Sequence, residues 1–370
     1  MIAPSGGVIS RRRFLSLGAG AGLGLLLPHR NLLGLTSPSS GLPLRVGYLA
    51  EPGPGPRSLA AACGAALGAE DSRRRAATAG RQFILVSGTA PQENLAQNVR
   101  AMAQVGVVAI VGNGSADWSG MASREAESRR VVYVNIGCCD DRLRAACSGE
   151  TFHVQASNAM YLDALAAGVA PKGRWGIAGP DAGLIARARR AVEKSGGSVA
   201  GSAILGPGAA PAVDVFPADV DAICVANPED PYALVGGDPS RVVRPALWHH
   251  DLAEDGADQL NAGYVSRFRR PLDSAGWAGW FAVTMLCDAA LRGRVGGAAA
   301  VAEVLRSTEE GFTGCKGATL TFRSWDHQLR QPVYLVHPDG AVLPALASGV
   351  DLDALGDGDA IRSCEFTTRA

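Results

Sequence analysis

Four short stretches of this 370-residue chain place polar side chains where a ligand could be gripped. Gly112-Asn113-Gly114-Ser115 follows an apolar run and opens a helical pattern, with Asp117 two residues on. The Ser115 hydroxyl and the backbone N–H groups beside Gly114 could hold a carboxylate or another anion. Equally, Ser115 or Asp117 could simply cap the helix. Asn135-Ile136-Gly137-Cys138-Cys139-Asp140-Asp141 ends the next apolar run. Gly137 permits close approach of backbone to ligand, and the two acids either contact it or cap the succeeding element. Gly179-Pro180-Asp181 closes a later run, where Asp181 is again cap or contact. Trp248-His249-His250-Asp251 offers an aromatic wall and polar groups.

Catalytic constellations are weaker. Glu51-Pro52-Gly53-Pro54-Gly55 lacks the spacing and third glycine of a dinucleotide fingerprint. No P-loop, HExxH or GxSxG occurs. His249 and His250 on a strand would point to opposite faces, so no metal site is expected. No cofactor is expected, and a non-enzymatic protein is the leading reading.

The eight cysteines are Cys63, Cys138, Cys139, Cys147, Cys224, Cys287, Cys315 and Cys364. None forms a CxxC, and no Cys/His spacing suggests zinc. Cys224 and Cys287 sit in apolar runs and read as buried small hydrophobes. Cys138, Cys139, Cys147 and Cys364 lie in loop-like or terminal sequence, where an oxidised pair fits an oxidising compartment. Neighbouring cysteines rarely pair with each other, and Cys138 and Cys139 have no evident activating base.

The compartment is indicated by the first forty residues. Ser10-Arg11-Arg12-Arg13-Phe14-Leu15-Ser16 precedes an apolar stretch, 17–27, that ends at Pro28. An arginine pair (Arg11, Arg12), then Phe14 and Leu15, then a short glycine- and alanine-rich segment looks like a twin-arginine export signal, the alternative being an ordinary buried helix after a basic turn. Eleven residues rise about 16 Å as helix, roughly half a bilayer core, so no permanent membrane span is expected. Processing is expected between Pro28 and Pro43, and the mature molecule in a periplasm.

Lysine plus arginine and aspartate plus glutamate each number 35, and 47% of residues are apolar. With the four arginines of residues 1–40 set aside, 31 basic and 35 acidic groups remain. That balance leaves no electrostatic footprint for a nucleic-acid partner.

The elements that must carry these loops alternate. Strands are expected at 44–49, 83–87, 107–111 and 131–136, with helices at 58–70, around 95–106 and at 121–130 between them. The series restarts with helices at 160–167 and 182–194 and strands at 175–178, 199–205, 222–225 and 245–248. Helices at 258–268, 277–291 and 298–307 come next. Segments 318–322 and 333–336 alternate like a hairpin. Repeated strand–helix alternation predicts an α/β fold of two doubly wound lobes. Ligands of such sheets sit beyond the carboxyl ends of the strands, where the loops above lie.

The order of elements over 44–345 resembles a type I periplasmic solute-binding protein of the branched-chain amino acid (Leu/Ile/Val) ABC transporter class. Several stretches look like the subgroup that accompanies PQQ-dependent alcohol dehydrogenase systems. They include Asp140-Asp141-Arg142-Leu143-Arg144 with Cys147, and His153 with Ser157, Met160 and Asp163. The most specific are Phe322-Arg323-Ser324-Trp325-Asp326-His327-Gln328-Leu329-Arg330-Gln331-Pro332, and Leu352-Asp353-Ala354-Leu355-Gly356 followed by Cys364. The resemblance implies a three-segment hinge, with lobe 1 at 44–154 and 252–308 and lobe 2 at 155–251 and 309–346. Residues 1–43 would be signal and linker, and 347–370 a tail.

It further implies a small polar or carboxylate-bearing solute, held by interlobe closure and passed to ABC permease and ATPase subunits. Ser115 and amides near Gly114 would hold an anion, the Gly137–Asp140 loop would shape the pocket, and Trp248 would close it. Cys138 and Cys139 depart from the small residues amino acid binders usually carry there. Cys147 is expected to pair with Cys364, tying the tail to lobe 1. A ligand sensor, or an exported redox accessory or enzyme, remains the alternative.

Overall fold

A computed structural model describes residues 42–53, 55–206, 209, 213–294, 297–356 and 364. Arg11, Arg12, Phe14 and Leu15 of the expected export signal lie outside the described residues.

Five parallel strands make the first sheet: β1 (Leu44–Ala50), β2 (Phe83–Thr89), β3 (Ala109–Asn113), β4 (Val132–Asn135) and β5 (Thr151–His153). Their order is β2-β1-β3-β4-β5, so the winding reverses between β1 and β3. The loops leaving those two strands diverge there and flank a crevice. β3 and β4 are buried almost throughout because helices cover both faces of the sheet. These are α1 (Pro56–Thr78), α2 (Leu95–Gln104), α3 (Ala116–Ser128) and the short α4 (Asp141–Ala145).

The second sheet comes after α5 (Asn158–Val169) and starts with β6 (Arg174–Gly179). After α6 (Ala182–Lys194) come β7 (Ser198–Ile204), β8 (Ala222–Val225), β9 (Tyr232–Val235) and β10 (Val242–Ala246). In α6 the buried residues Ile185, Ala188, Ala191 and Val192 recur at helical spacing and form its inner stripe. β6 pairs in parallel with β7 and β8, so a second winding reversal places the ends of β6 and β8 side by side. β9 is antiparallel to both of its neighbours, β8 and β10. No strand was expected there, since four residues between Pro231 and Gly236-Gly237 carry little alternation. It makes the second sheet mixed rather than wholly parallel.

The chain then returns to the first sheet as α7 (Ala257–Phe268), α8 (Ser274–Arg292) and α9 (Ala298–Arg306). Glycines let α1 and α8 meet backbone to backbone. A Cβ on Gly64 would enter the backbone of Gly276, and one on Gly279 would enter that of Ala61. The 23 residues of α1 carry Arg73, Arg74 and Arg75 toward its carboxyl end, beyond the expected stop at 70.

The final strands correct an expectation. β11 (Phe312–Thr313), β12 (Thr319–Phe322) and β13 (Leu329–Arg330) form a separate sheet, while β14 (Tyr334–Val336) and β15 (Val342–Pro344) join β10. Segments 318–322 and 333–336 therefore belong to different sheets and make no hairpin. Within 309–346, β11 to β13 thus stand apart from the sheet that β14 and β15 extend. The His153 N–H donates to His327 O at 2.9 Å, and Gln328 Nε2 donates to His153 O at 3.1 Å, fixing 312–330 beside β5. Alternation reports only that a strand is half-buried. The edge it joins depends on partners far away in sequence.

Candidate functional site

At the reversal of the first sheet, the Glu51 N–H donates to Asn113 O at 2.9 Å, bringing the ends of β1 and β3 together. Ser115 stands at the N-cap of α3 with an extended backbone, yet its hydroxyl makes no capping bond. Its backbone N–H donates instead to Glu51 Oε2 at 2.7 Å. The amide expected to hold a ligand anion therefore holds a carboxylate of this chain. Asp117 is exposed in the first turn of α3. Gly114 and Gly137 are required by crowding: a Cβ on the first would enter the Trp118 ring, and one on the second would meet Asn113 Oδ1.

The loop after β4 is also satisfied from within. Asn135, fully buried, accepts at Oδ1 from the N–H groups of Gly137 (3.2 Å) and Cys138 (2.9 Å). Its Nδ2 donates to Cys138 O at 2.7 Å. Arg144, 2% exposed, gathers the loop from behind. It donates to Cys138 O (2.9 Å), Asp140 O (3.0 Å), Gln155 O (2.5 Å) and Gln328 Oε1 (3.0 Å). A buried guanidinium met only by oxygen acceptors holds their geometry firmly, because losing any one would leave a desolvated donor. Burial pushes the Cys138 thiol up, and the Cys139 thiol up to about 12. Both are protonated at neutral pH, which removes the thiolate a redox role would need.

Asp140 is both cap and ion-pair partner. Its Oδ1 accepts from Arg142 N at 2.8 Å at the start of α4, and its Oδ2 lies 2.7 Å from Arg142 Nη2. Burial would raise its pKa, but the bonds and charge of Arg142 outweigh that and hold it below the usual carboxylate range. Asp117 and Asp140 line a pocket of about 350 Å³ with Arg124, Arg142, Met121 and Leu143. That pocket is lined by α3, α4 and the loops beside them.

Contacts between described residues join the carboxyl edges of the two sheets. Cys139 Sγ donates to Pro228 O at 2.5 Å, just beyond β8, and Arg187 Nε on α6 lies 3.4 Å from Asp141 Oδ2. Asp181 caps α6, its Oδ1 accepting from Leu184 N at 2.9 Å. The capping role accounts for its carboxylate.

Trp248 corrects the expectation that it closes the pocket. It is 1% exposed, donates from Nε1 to Asn261 Oδ1 at 2.9 Å and stacks on Trp277 at 6.1 Å between centroids. A large apolar ring one residue from a polar turn is drawn into the core. His249 and His250 also depart from expectation. They lie past the end of β10, in a turn, and their rings stack at 4.2 Å instead of facing opposite ways. With Asp251 they bring ligand atoms within 4.8 Å of one another, close enough for a divalent ion to span. Burial, then the neighbouring His250, lowers the pKa of His249.

Sequence reasoning passed over Glu51, Arg144, Arg187 and Pro228. Glu51 had a usable signal, since it ends the first strand of a doubly wound sheet.

The two winding reversals face each other across these contacts, and solved structures share the fold. An ABC transporter substrate-binding protein from Sphaerobacter thermophilus is 16% identical, with a TM-score of 0.66 over 84% of this chain and 98% of its own. The leucine-, isoleucine-, valine-, threonine- and alanine-binding protein from Brucella ovis, in its closed conformation, is 13% identical with a TM-score of 0.69. That alignment covers 86% of this chain and 97% of the other. The branched-chain amino acid transporter substrate-binding protein LivJ from Streptococcus pneumoniae, in complex with isoleucine, is 14% identical with a TM-score of 0.64, over 82% and 99%. The fold is that of the type I periplasmic binding proteins. No protein-family model and no curated protein matches the sequence.

Within the type I fold, Glu51, Ser115, Gly137, Cys139, Asp181 and Pro228 sit on the loops after β1, β3, β4, β6 and β8. Among the described residues no helix is long and apolar enough to cross a membrane. The structure also places a Cys147–Cys364 disulfide, with Cα atoms 5.3 Å apart, between the end of the chain and the segment joining α4 to β5.

Proposed function

We propose that this protein is a periplasmic solute-binding component of an ABC import system, exported through the twin-arginine translocase. Lobe 1 comprises 44–154, 252–308 and the adjoining 309–330. Lobe 2 comprises 155–251 and 331–346. A small polar solute enters between the lobes and is gripped by the loops around Glu51, Ser115, Gly137, Cys139, Asp181 and Pro228. Closure removes it from water and shifts an open–closed equilibrium, and the occupied form docks on permease and ATPase subunits. No bond of the solute is made or broken, and no cofactor takes part. The subgroup resemblance carried by the 322–332 and 352–356 motifs adds a link to PQQ-dependent alcohol oxidation.

The observation that carries this reading is the facing of two sheet reversals across the Cys139–Pro228 and Asp141–Arg187 contacts. Crevices at such reversals are where doubly wound sheets bind small molecules. Calorimetric titration of the folded protein with alcohols, amines, carboxylates and amino acids tests it. One class is expected to bind saturably at one site, with a smaller radius of gyration in solution scattering. Silence toward every class overturns the reading.

A ligand sensor would use the same clamshell and differ only in its partner. Permease and ATPase genes beside this one favour import.

A further inference from the structure

The first-sheet wall of the crevice has its anion-binding positions already filled from within the chain. Glu51 Oε2 accepts the Ser115 N–H at 2.7 Å, at the start of α3, where the positive end of the helix favours a negative group. Asn135 Oδ1 accepts the N–H groups of Gly137 and Cys138. The Arg187 guanidinium, facing this wall from α6, is met by Asp141 at 3.4 Å. Thus the Ser115, Gly137 and Cys138 amides are occupied, while a half-buried carboxylate stands at the reversal point between β1 and β3. Glu51 Oε1 accepts no hydrogen bond from any described residue. A ligand carboxylate brought here would meet a like charge and would have to displace Glu51 from its amide. A protonated amine would meet a partly desolvated acceptor of opposite charge, the stronger kind of hydrogen bond.

We infer that Glu51 is a specificity-determining residue that takes the place of a ligand carboxylate, so the crevice selects a small amine that carries no carboxylate. This rests on the solute-binding reading above and narrows its ligand. One internal charge rejects a whole class of solutes by repulsion, while the remaining contacts can stay unspecialised.

The test titrates the full chain and its Glu51→Gln and Glu51→Ala variants by calorimetry with ethanolamine, ethanol, acetate and alanine. Circular dichroism and unfolding curves establish that each variant is folded. The wild type is expected to bind ethanolamine in preference to the other three. Glu51→Gln, which keeps an acceptor for the Ser115 amide and removes the charge, is expected to weaken ethanolamine binding at least ten-fold. Glu51→Ala, which frees that amide, is expected to gain acetate or alanine binding. Wild-type preference for ethanol, acetate or alanine overturns the inference and leaves the solute-binding reading standing. So does ethanolamine binding that changes less than two-fold in Glu51→Gln. Silence of all three proteins toward all four probes overturns both.

Discussion

Arg323 and Asp353, thirty residues apart, are joined by a 2.9 Å hydrogen bond from Nε to Oδ1 that pins the tail to the strands of the 322–332 motif. Arg323 is 1% exposed, also donates to Leu355 O and Leu352 O, and lies 3.7 Å from the buried Asp326. Arg330 reaches the same Asp353 oxygen at 2.8 Å. On the other side, Asp163 of α5 accepts from Gly356 N at 2.8 Å and from Lys194 Nζ at 2.6 Å. The two most specific motifs are thus halves of one structural joint, and the tail bridges the β12–β13 segment to α5 and α6.

Arg323→Met is expected to destabilise the protein by about 3 kcal/mol, because it strands Asp326 in the interior and removes the acceptors' partner. Urea unfolding with an unchanged slope would register the loss. A shift below about 1 kcal/mol would mean that Arg330 alone carries the joint.

The Cys147–Cys364 bridge closes a loop of sequence separation 217. Opening it is expected to cost about 5 kcal/mol, chiefly through the added freedom of the unfolded chain. Unfolding scans with and without dithiothreitol, together with Cys364→Ser, measure this. Identical midpoints in all three would contradict it.

His327 stacks on Phe152 at 4.4 Å, and its Nδ1–H donates to Thr151 O at 3.0 Å. Burial lowers its pKa to about 4, against some restoring pull from that bond. Between an unfolded value of about 6.5 and this folded one, only the unfolded chain takes up the proton. Stability contributed by the neutral ring is therefore complete above about pH 6.5 and falls with pH, by about 3 kcal/mol at about pH 4. His327→Asn keeps a side chain suited to the left-handed backbone there (φ 51°) and still offers a donor to Thr151. It should flatten the slope of stability against pH over roughly 4–6.5. His153, also buried and lowered by burial and then by Arg144, should leave a remaining slope.

Cys139, with its thiol pushed up to about 12 and its Sγ on Pro228 O, should resist alkylation. Iodoacetamide at about pH 8 is expected to modify it on the order of 100-fold more slowly than a free cysteine. Modification at the free rate would reopen a redox role. Cys139→Ser keeps a donor for Pro228 and should leave the unfolding free energy within about 1 kcal/mol of wild type.

The alternation of apolar runs with helical stripes determined the α/β class, most of the β1–β8 strand positions and the loops that matter. Those signals are local, arising from burial of one strand face or one helix stripe. The tertiary structure decided what each loop residue does. Glu51 became the occupant of the Ser115 amide, Asp181 and Asp140 became caps, Trp248 entered the core, and His249 stacked on His250. Each outcome depends on a partner or a turn that spacing along the chain does not encode. The same holds for 312–330, whose place beside β5 was settled by hydrogen bonds to His153 from residues more than 170 positions away. Periodicity records how much of a segment is covered, while the identity of its cover is fixed only when distant segments compete for the same edge.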